Sequence, residues 1–241
     1  MKIVWLDVSA SHAHASLALP LLHNACRTRV GLEWNAVRTT TAADSAPLTD
    51  EINALRPDVV LATLTLFTRT LVLDILSRLK ALRPDCTLIV GGPECLGPNA
   101  ELLQRYTCLD GAVRGEGEAV LPDLLGLLSK QHEPDAMPGL CWRRHDGDII
   151  DDGRYAVDLQ WATAPPPCTS PFFAHTKPFV AIETSRGCPL SCTFCSSSTP
   201  VPCRYRPLAM LRQELTTLGT MGVREIRVLD RTFNLPDARS I

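Results

Sequence analysis

No apolar run in this 241-residue chain approaches the roughly 20 residues that a membrane-spanning helix needs. The longest such stretches, residues 59–66 and 71–76, are interrupted by Thr63, Thr65 and Asp74. No secretion leader is expected either. The first residues reach Asp7 and then His12 and His14 without a long apolar core or a small-residue cleavage site. These absences make the cytoplasm the expected location and give no reason for a membrane partner. Neither sign of charge dominates: 24 Lys and Arg stand against 26 Asp and Glu, a net charge of −2, with no basic stripe to attract nucleic acid. There is no internal repeat of solenoid length, and the only low-complexity tract is Pro165-Pro166-Pro167.

What the sequence does contain is a regular alternation of strand-like and helix-like segments, with 45% hydrophobic residues to build a core. Short apolar strands are predicted at residues 2–8 and 32–39, with a helix at 16–28 between them and another at 48–55 after them. Residues 58–66 are a β-branched run suited to a buried parallel strand, and residues 70–82 show helical apolar spacing closed by Arg83-Pro84. A strand at 86–90 ending in Gly91-Gly92-Pro93, a helix at 99–106, a strand at 111–114 and a helix at 118–130 complete five β/α units. This is the pattern of an α/β fold with an open, doubly wound parallel sheet of the Rossmann or flavodoxin type. Such sheets receive ligands outside the carboxyl ends of their strands.

Beyond Lys130 the texture changes. Asp146-Gly147 between residues 140–144 and 148–150 signals a hairpin, and the proline-rich residues 164–171 read as a semi-rigid connector. A strand at 179–184, a helix at 208–221 and a strand at 225–230 follow. The expected organisation is a domain over residues 1–132, a linker with a β-hairpin over 133–177 and the beginning of a second domain over 178–241.

Ten cysteines without a secretion signal point to reduced thiols and metal ligation rather than to disulfides. Cys188, Cys192 and Cys195 stand in a C-x3-C-x2-C spacing just after the strand predicted at 179–184. Three thiolates from one loop hold three irons of a cubane cluster, where closed iron–sulfur sites use four. The fourth iron stays open. The amino and carboxylate groups of S-adenosylmethionine can chelate it, which sets the sulfonium beside a reductant. The competing readings are three buried free thiols or a zinc site, which ordinarily wants paired Cys-x2-Cys elements or a nearby His. Cys203 lacks a paired partner and is disfavoured as a fourth ligand.

The run Ile182-Glu-Thr-Ser-Arg-Gly-Cys-Pro-Leu-Ser-Cys-Thr-Phe-Cys195, with its aromatic residue before the last cysteine, resembles the radical S-adenosylmethionine superfamily. The resemblance implies a [4Fe-4S] cluster on Cys188, Cys192 and Cys195, in a loop after the first strand of a partial (β/α)6 barrel. It also implies that Phe194 packs near the adenine of S-adenosylmethionine. Upstream, Gly91-Gly92-Pro93-Glu94 and the Gly115-Glu116-Gly117-Glu118 portion of residues 110–118 look like the cobalamin-binding domain that precedes many such barrels. These turns are therefore expected to meet cobalamin. Glycines at a strand end allow backbone to approach a flat macrocycle, and they serve any tight turn equally well. The D-x-H-x-x-G run of cobalamin domains that supply an axial histidine is absent, so cobalamin is expected without histidine ligation, although His12 and His14 follow the first strand.

Val228-Leu-Asp-Arg-Thr-Phe-Asn234 resembles a signature of the cobalamin branch that carries an uncharacterised C-terminal domain. It implies that Asp230, and more weakly Asn234, meets polar groups of S-adenosylmethionine; an ordinary strand-end turn is the alternative. Glu183 precedes the cluster loop with its facing undecided. A six-unit barrel needs more strands after Asp230, so the chain is expected to be a fragment or truncated product that does not turn over by itself. The activity implied is reductive cleavage of S-adenosylmethionine to a 5′-deoxyadenosyl radical in a cobalamin-dependent enzyme. Methyl transfer is the implied outcome, and a reductant such as flavodoxin or ferredoxin is the implied partner. The alternatives are a methylthiotransferase-type enzyme and a non-catalytic cobalamin- or cluster-binding remnant. The methylthiotransferase reading would draw a second cluster's ligands from Cys26, Cys86, Cys95 and Cys108, whose contexts do not match that family.

Overall fold

The computed structural model describes residues 1–190, 192–195 and 203–233. They form two compact units: Met1–His12 with Leu22–Asp158, and Ala13–Leu21 with Leu159–Ile241. In chain order the first unit is built on β1 (Lys2–Ser9), α1 (Ala18–Cys26), β2 (Glu33–Thr40), α2 (Ser45–Ala54), β3 (Val59–Thr63), α3 (Arg69–Leu82), β4 (Thr87–Gly91), α4 (Asn99–Arg105), β5 (Gly111–Val113) and α5 (Leu121–Leu128). Two further strands, β6 (Leu140–Arg143) and β7 (Ile149–Asp151), complete its sheet. Of α1, residues 18–21 belong to the second unit and the remaining residues to the first.

Each element begins and ends where its residues dictate. Val59, Val60, Leu61 and Ala62 of β3 are all at most 3% exposed, so both faces of this strand are covered, as a central parallel strand requires. In α3 the buried positions Val72, Leu73, Ile75, Leu76 and Leu79 follow helical spacing, and the helix stops ahead of Pro84. α2 starts on Asp44, whose carboxylate accepts the Ala46 N–H at 3.1 Å. The turn before α3 is fixed by a reciprocal pair: Thr65 N–H donates to Thr68 Oγ1 at 3.1 Å, and Thr68 N–H donates to Thr65 Oγ1 at 3.2 Å. Where one helix was expected over residues 118–130, a 3-10 turn at Gly117–Ala119 precedes α5, which carries proline in its first turn.

The strand order is β2-β1-β3-β4-β5-β6-β7, with parallel pairing from β2 through β5. The chain runs outward from β1 to β2 and then returns to place β3 on the other side, so β1 and β3 flank a topological switch point. Val4, Leu6, Val60, Ala62, Leu88 and Val90 belong to one core with the buried residues of α2 and α3.

The expected linker at residues 133–177 is divided in the structure. Strands β6 and β7 pair antiparallel with β5 and with each other, which makes them sheet edge rather than connector, and the unit boundary falls at Asp158. The physical reason is burial: Leu140, Cys141 and Trp142 are at most 5% exposed and need the sheet to cover them. Arg114 then ties β7 down through Asp151 and through the Gly97 carbonyl.

The second unit contains β8 (Val180–Ile182), β9 (Ser185–Arg186), β10 (Arg204–Tyr205), α6 (Leu208–Thr220) and β11 (Ile226–Val228). β8 and β11 pair in parallel, with Ile226 opposite Val180, and α6 lies between them in sequence. This β-α-β arrangement is the expected start of a barrel. Its core gathers Cys168, Phe173, Val180, Ile182 and Leu218. Among the described residues no helix is long and apolar enough to cross a membrane.

Candidate functional site

The cysteine loop leaves the carboxyl end of β8 and is closed at its base by a short ladder. Arg186 of β9 stands opposite Arg204 of β10, and Ser185 opposite Tyr205. Cys188 and Cys192 are half-buried, Cys195 is exposed, and Cys195 N–H donates to the Cys192 carbonyl at 3.1 Å. These three thiols differ from most of the others. Burial pushes Cys26, Cys86, Cys95 and Cys141 up to about 12 and Cys168 up to about 11, which keeps them as inert core thiols. Cys188 moves the other way. The Thr232 hydroxyl, a Leu190 backbone contact and the Arg231 charge hold its pKa below the usual thiol range. Cys203 is turned toward the Tyr205 hydroxyl at 3.1 Å. Among the described residues no three His, Cys, Asp or Glu side chains form a group that could hold a metal ion, so the structure does not gather the triad around one point. Cubane ligands each bind a different iron, so three thiolates from one loop need not converge on a single point to hold such a cluster.

The other predicted residues of this unit have varied placements. Phe194 is 91% exposed. Asp230 is engaged within its own unit: Oδ1 accepts the N–H groups of Thr184 at 2.7 Å and Ser185 at 3.0 Å, and Oδ2 accepts the Thr184 hydroxyl. Its carboxylate therefore clamps the turn that leads into the cysteine loop, a different task from the ligand contact expected of it. Glu183 pairs with Arg186 at 2.8 Å, and Asn234 lies outside the described residues.

Sequence reasoning missed the base of the loop altogether. Trp161 is 1% exposed. Three guanidinium carbons lie over its ring, those of Arg186 at 4.9 Å, Arg206 at 5.5 Å and Arg204 at 5.9 Å. Arg206 also pairs with Glu214 at 2.7 Å, both side chains being 2% exposed, and donates to the Ala164 carbonyl at 2.8 Å. Burial pushes the Glu214 carboxyl up while the Arg206 charge opposes it. No spacing rule links Trp161 to arginines 25 or more residues away; only the run of arginines at 186, 204 and 206 was visible.

In the first unit, the glycine turns stand at the carboxyl ends of β4 and β5. Gly92 has φ of +96°, and a Cβ there would lie 2.5 Å from the Thr63 Cγ2 and 3.0 Å from the Leu64 carbonyl oxygen. Gly115 has φ of +99°, and its Cβ would lie 2.4 Å from the Ala156 carbonyl oxygen. Both glycines are thus required by the chain's own backbone. Glu94 pairs with Arg69 at 3.2 Å, and Glu116 accepts the Asp158 N–H at 2.8 Å. Gly91, Gly117 and Glu118 are half-buried and Pro93 is exposed.

The turn after β3 carries the signal that sequence reasoning overlooked. Leu66 and Phe67 are 74% and 79% exposed, side by side at the ligand-receiving edge next to the switch point. His12 and His14 are also exposed, and the His14 ring meets the edge of Phe179 at 5.2 Å.

No family model matches the chain. An uncharacterized methyltransferase of Pyrococcus horikoshii is 30% identical over 198 residues, covering 79% of this chain and 43% of that protein. The cobalamin-dependent radical SAM methyltransferase TokK of Streptomyces tokunonensis is 25% identical over 198 residues, covering 75% of this chain and 28% of that one. The chain belongs to the cobalamin-binding radical S-adenosylmethionine superfamily. In fold, it is similar to the radical S-adenosylmethionine methyltransferase TsrM from Kitasatospora setae, solved with cobalamin and a [4Fe-4S] cluster bound. That likeness has a TM-score of 0.74 at 19% identity and covers 97% of this chain and 48% of TsrM. The chain spans less than half the length of the curated relatives it matches.

Proposed function

We propose that these residues are the cofactor-binding part of a cobalamin-dependent radical S-adenosylmethionine methyltransferase. The observation that carries this reading is the contrast among the cysteines: the half-buried to exposed triad follows the first strand of a parallel β-α-β pair, whereas Cys26, Cys86, Cys95, Cys108, Cys141 and Cys168 are buried. Cys188, Cys192 and Cys195 are assigned as the cluster ligands, leaving one iron open for S-adenosylmethionine. When bound, the cluster would supply the electron that splits S-adenosylmethionine into methionine and a 5′-deoxyadenosyl radical, and cobalamin would serve as methyl carrier.

The chain's own residues hold the geometry for this. Asp230 fixes the entry to the cysteine loop through Thr184 and Ser185, and the Trp161–arginine stack braces its base. Phe194, exposed beside the last cysteine, is free to cover the adenine. Cobalamin is assigned to the carboxyl edge of the sheet at residues 91–94 and 115–118, where Leu66 and Phe67 offer an apolar face for the corrin ring and no histidine is needed. The glycines there favour cobalamin less than their sequence suggests, because the protein fills the space itself. Flavodoxin or ferredoxin is the class of reductant assigned.

The methylthiotransferase alternative gains nothing from the structure, since Cys26, Cys86, Cys95 and Cys108 are buried. Spectrophotometric titration of the anaerobically prepared chain with hydroxocobalamin, followed by gel filtration, tests the cobalamin assignment. One cobalamin is expected to co-elute per chain; elution of cobalamin wholly free of protein would overturn it.

A further inference from the structure

Past β11 the chain continues along the cysteine loop through three successive contacts. Leu229 N–H donates to the Ile182 carbonyl at 2.9 Å, Asp230 takes the Thr184 and Ser185 N–H groups, and Thr232 Oγ1 lies 3.2 Å from Cys188 Sγ. The last contact joins residues 44 apart in sequence. Cys188 is the first cysteine of the triad, and Thr232 is neither a thiol nor part of the cysteine spacing.

We propose that Thr232 is a positioning residue for the iron–sulfur cluster, whose hydroxyl donates to the Cys188 sulfur and raises the cluster's reduction potential. In the free thiol either atom can be the donor. Bound to iron, Cys188 is a thiolate without a proton, so Thr232 must donate. A hydrogen bond to a ligating sulfur stabilises the electron-rich reduced cluster more than the oxidised one, which makes reduction easier. The Asp230 clamp, two residues earlier, keeps the hydroxyl in place. The assignment rests on the proposed cluster at Cys188, Cys192 and Cys195.

The test compares Thr232→Val, which keeps the shape and removes the hydroxyl, with Thr232→Ser, which keeps the hydroxyl. The full chain and both variants are reconstituted anaerobically, their iron is counted, and each is titrated redox-potentiometrically with detection by electron paramagnetic resonance. Equal iron in all three is expected. At a fixed poise Thr232→Val should show about a tenfold smaller reduced-to-oxidised ratio, which is about 59 mV for a one-electron couple. Thr232→Ser should follow the wild type. An unshifted midpoint in Thr232→Val, or an equal shift in Thr232→Ser, overturns the role of the hydroxyl while the cluster assignment stands. Loss of iron from Thr232→Val with retention in Thr232→Ser supports the hydroxyl's positioning role; equal loss from both overturns it. A wild-type chain that takes up no iron overturns the cluster assignment and this inference together.

Discussion

Replacing Asp151 with Asn tests whether the hairpin is part of the first unit. Arg114 grips Asp151 with both terminal nitrogens, at 2.8 and 2.7 Å, and the two side chains are only 5% and 12% exposed. The same guanidinium reaches the Gly97 carbonyl at 3.0 and 2.8 Å. Removing one partner of a buried pair costs about 3–5 kcal/mol. Because Arg114 keeps Gly97, the lower end, about 3 kcal/mol, is expected for Asp151→Asn. For a unit of this size that is about 10 °C in Tm, read by thermal unfolding with tryptophan fluorescence. Arg114 holds the Asp151 carboxyl below the usual carboxylate range. The pair's stabilisation is therefore fully present above about pH 4, where an unfolded aspartate is ionised, and is lost as pH falls through the lowered value. The variant's stability should lack this acid-side loss. A Tm drop under about 3 °C at pH 7 would refute the reasoning, for it would mean the hairpin is not anchored by this pair.

Two further changes probe the turns and the base of the cysteine loop. Gly115→Ala places a Cβ 2.4 Å from the Ala156 carbonyl oxygen at a φ of +99°, so a loss of about 3 kcal/mol or more is expected in chemical denaturation; wild-type stability would show that the turn relaxes freely. Trp161→Leu removes the ring under Arg186, Arg204 and Arg206. Iron should then be released several-fold faster to a chelator, and an unchanged release rate would count against the bracing role.

Much of the fold was legible because its signals are periodic. The β-branched run of β3 and the 3.6-residue spacing of α3 each coincide with an element of the structure to within a few residues. The hairpin was legible as a hairpin, but its membership of the sheet comes from the burial of Leu140, Cys141 and Trp142 and is tied by Arg114 to Asp151, a contact 37 residues apart that no local pattern announces. The C-x3-C-x2-C spacing after a strand marks Cys188, Cys192 and Cys195 in the sequence, and the structure adds that they, with Cys203, are the less buried cysteines. Asp230 was expected to meet S-adenosylmethionine, whereas its bonds to Thr184 and Ser185 come from the pairing of β8 with β11, which sequence order does not state. The glycine turns illustrate the converse. Their residues suggest a ligand's approach, whereas the space a Cβ would need is occupied by Thr63, Leu64 and Ala156 of the same chain. Leu66 and Phe67 went unnoticed because an apolar pair extending a buried strand looks like more core until its exposure is known.

The central claim is that Cys188, Cys192 and Cys195 hold one cubane cluster with an open iron. Anaerobic reconstitution followed by iron and sulfide counting, on the wild type and on the triple Cys→Ala variant, measures it directly. About four irons per wild-type chain and almost none in the variant are expected. Fewer than about three irons in the wild type, unchanged when the triad is removed, would contradict it.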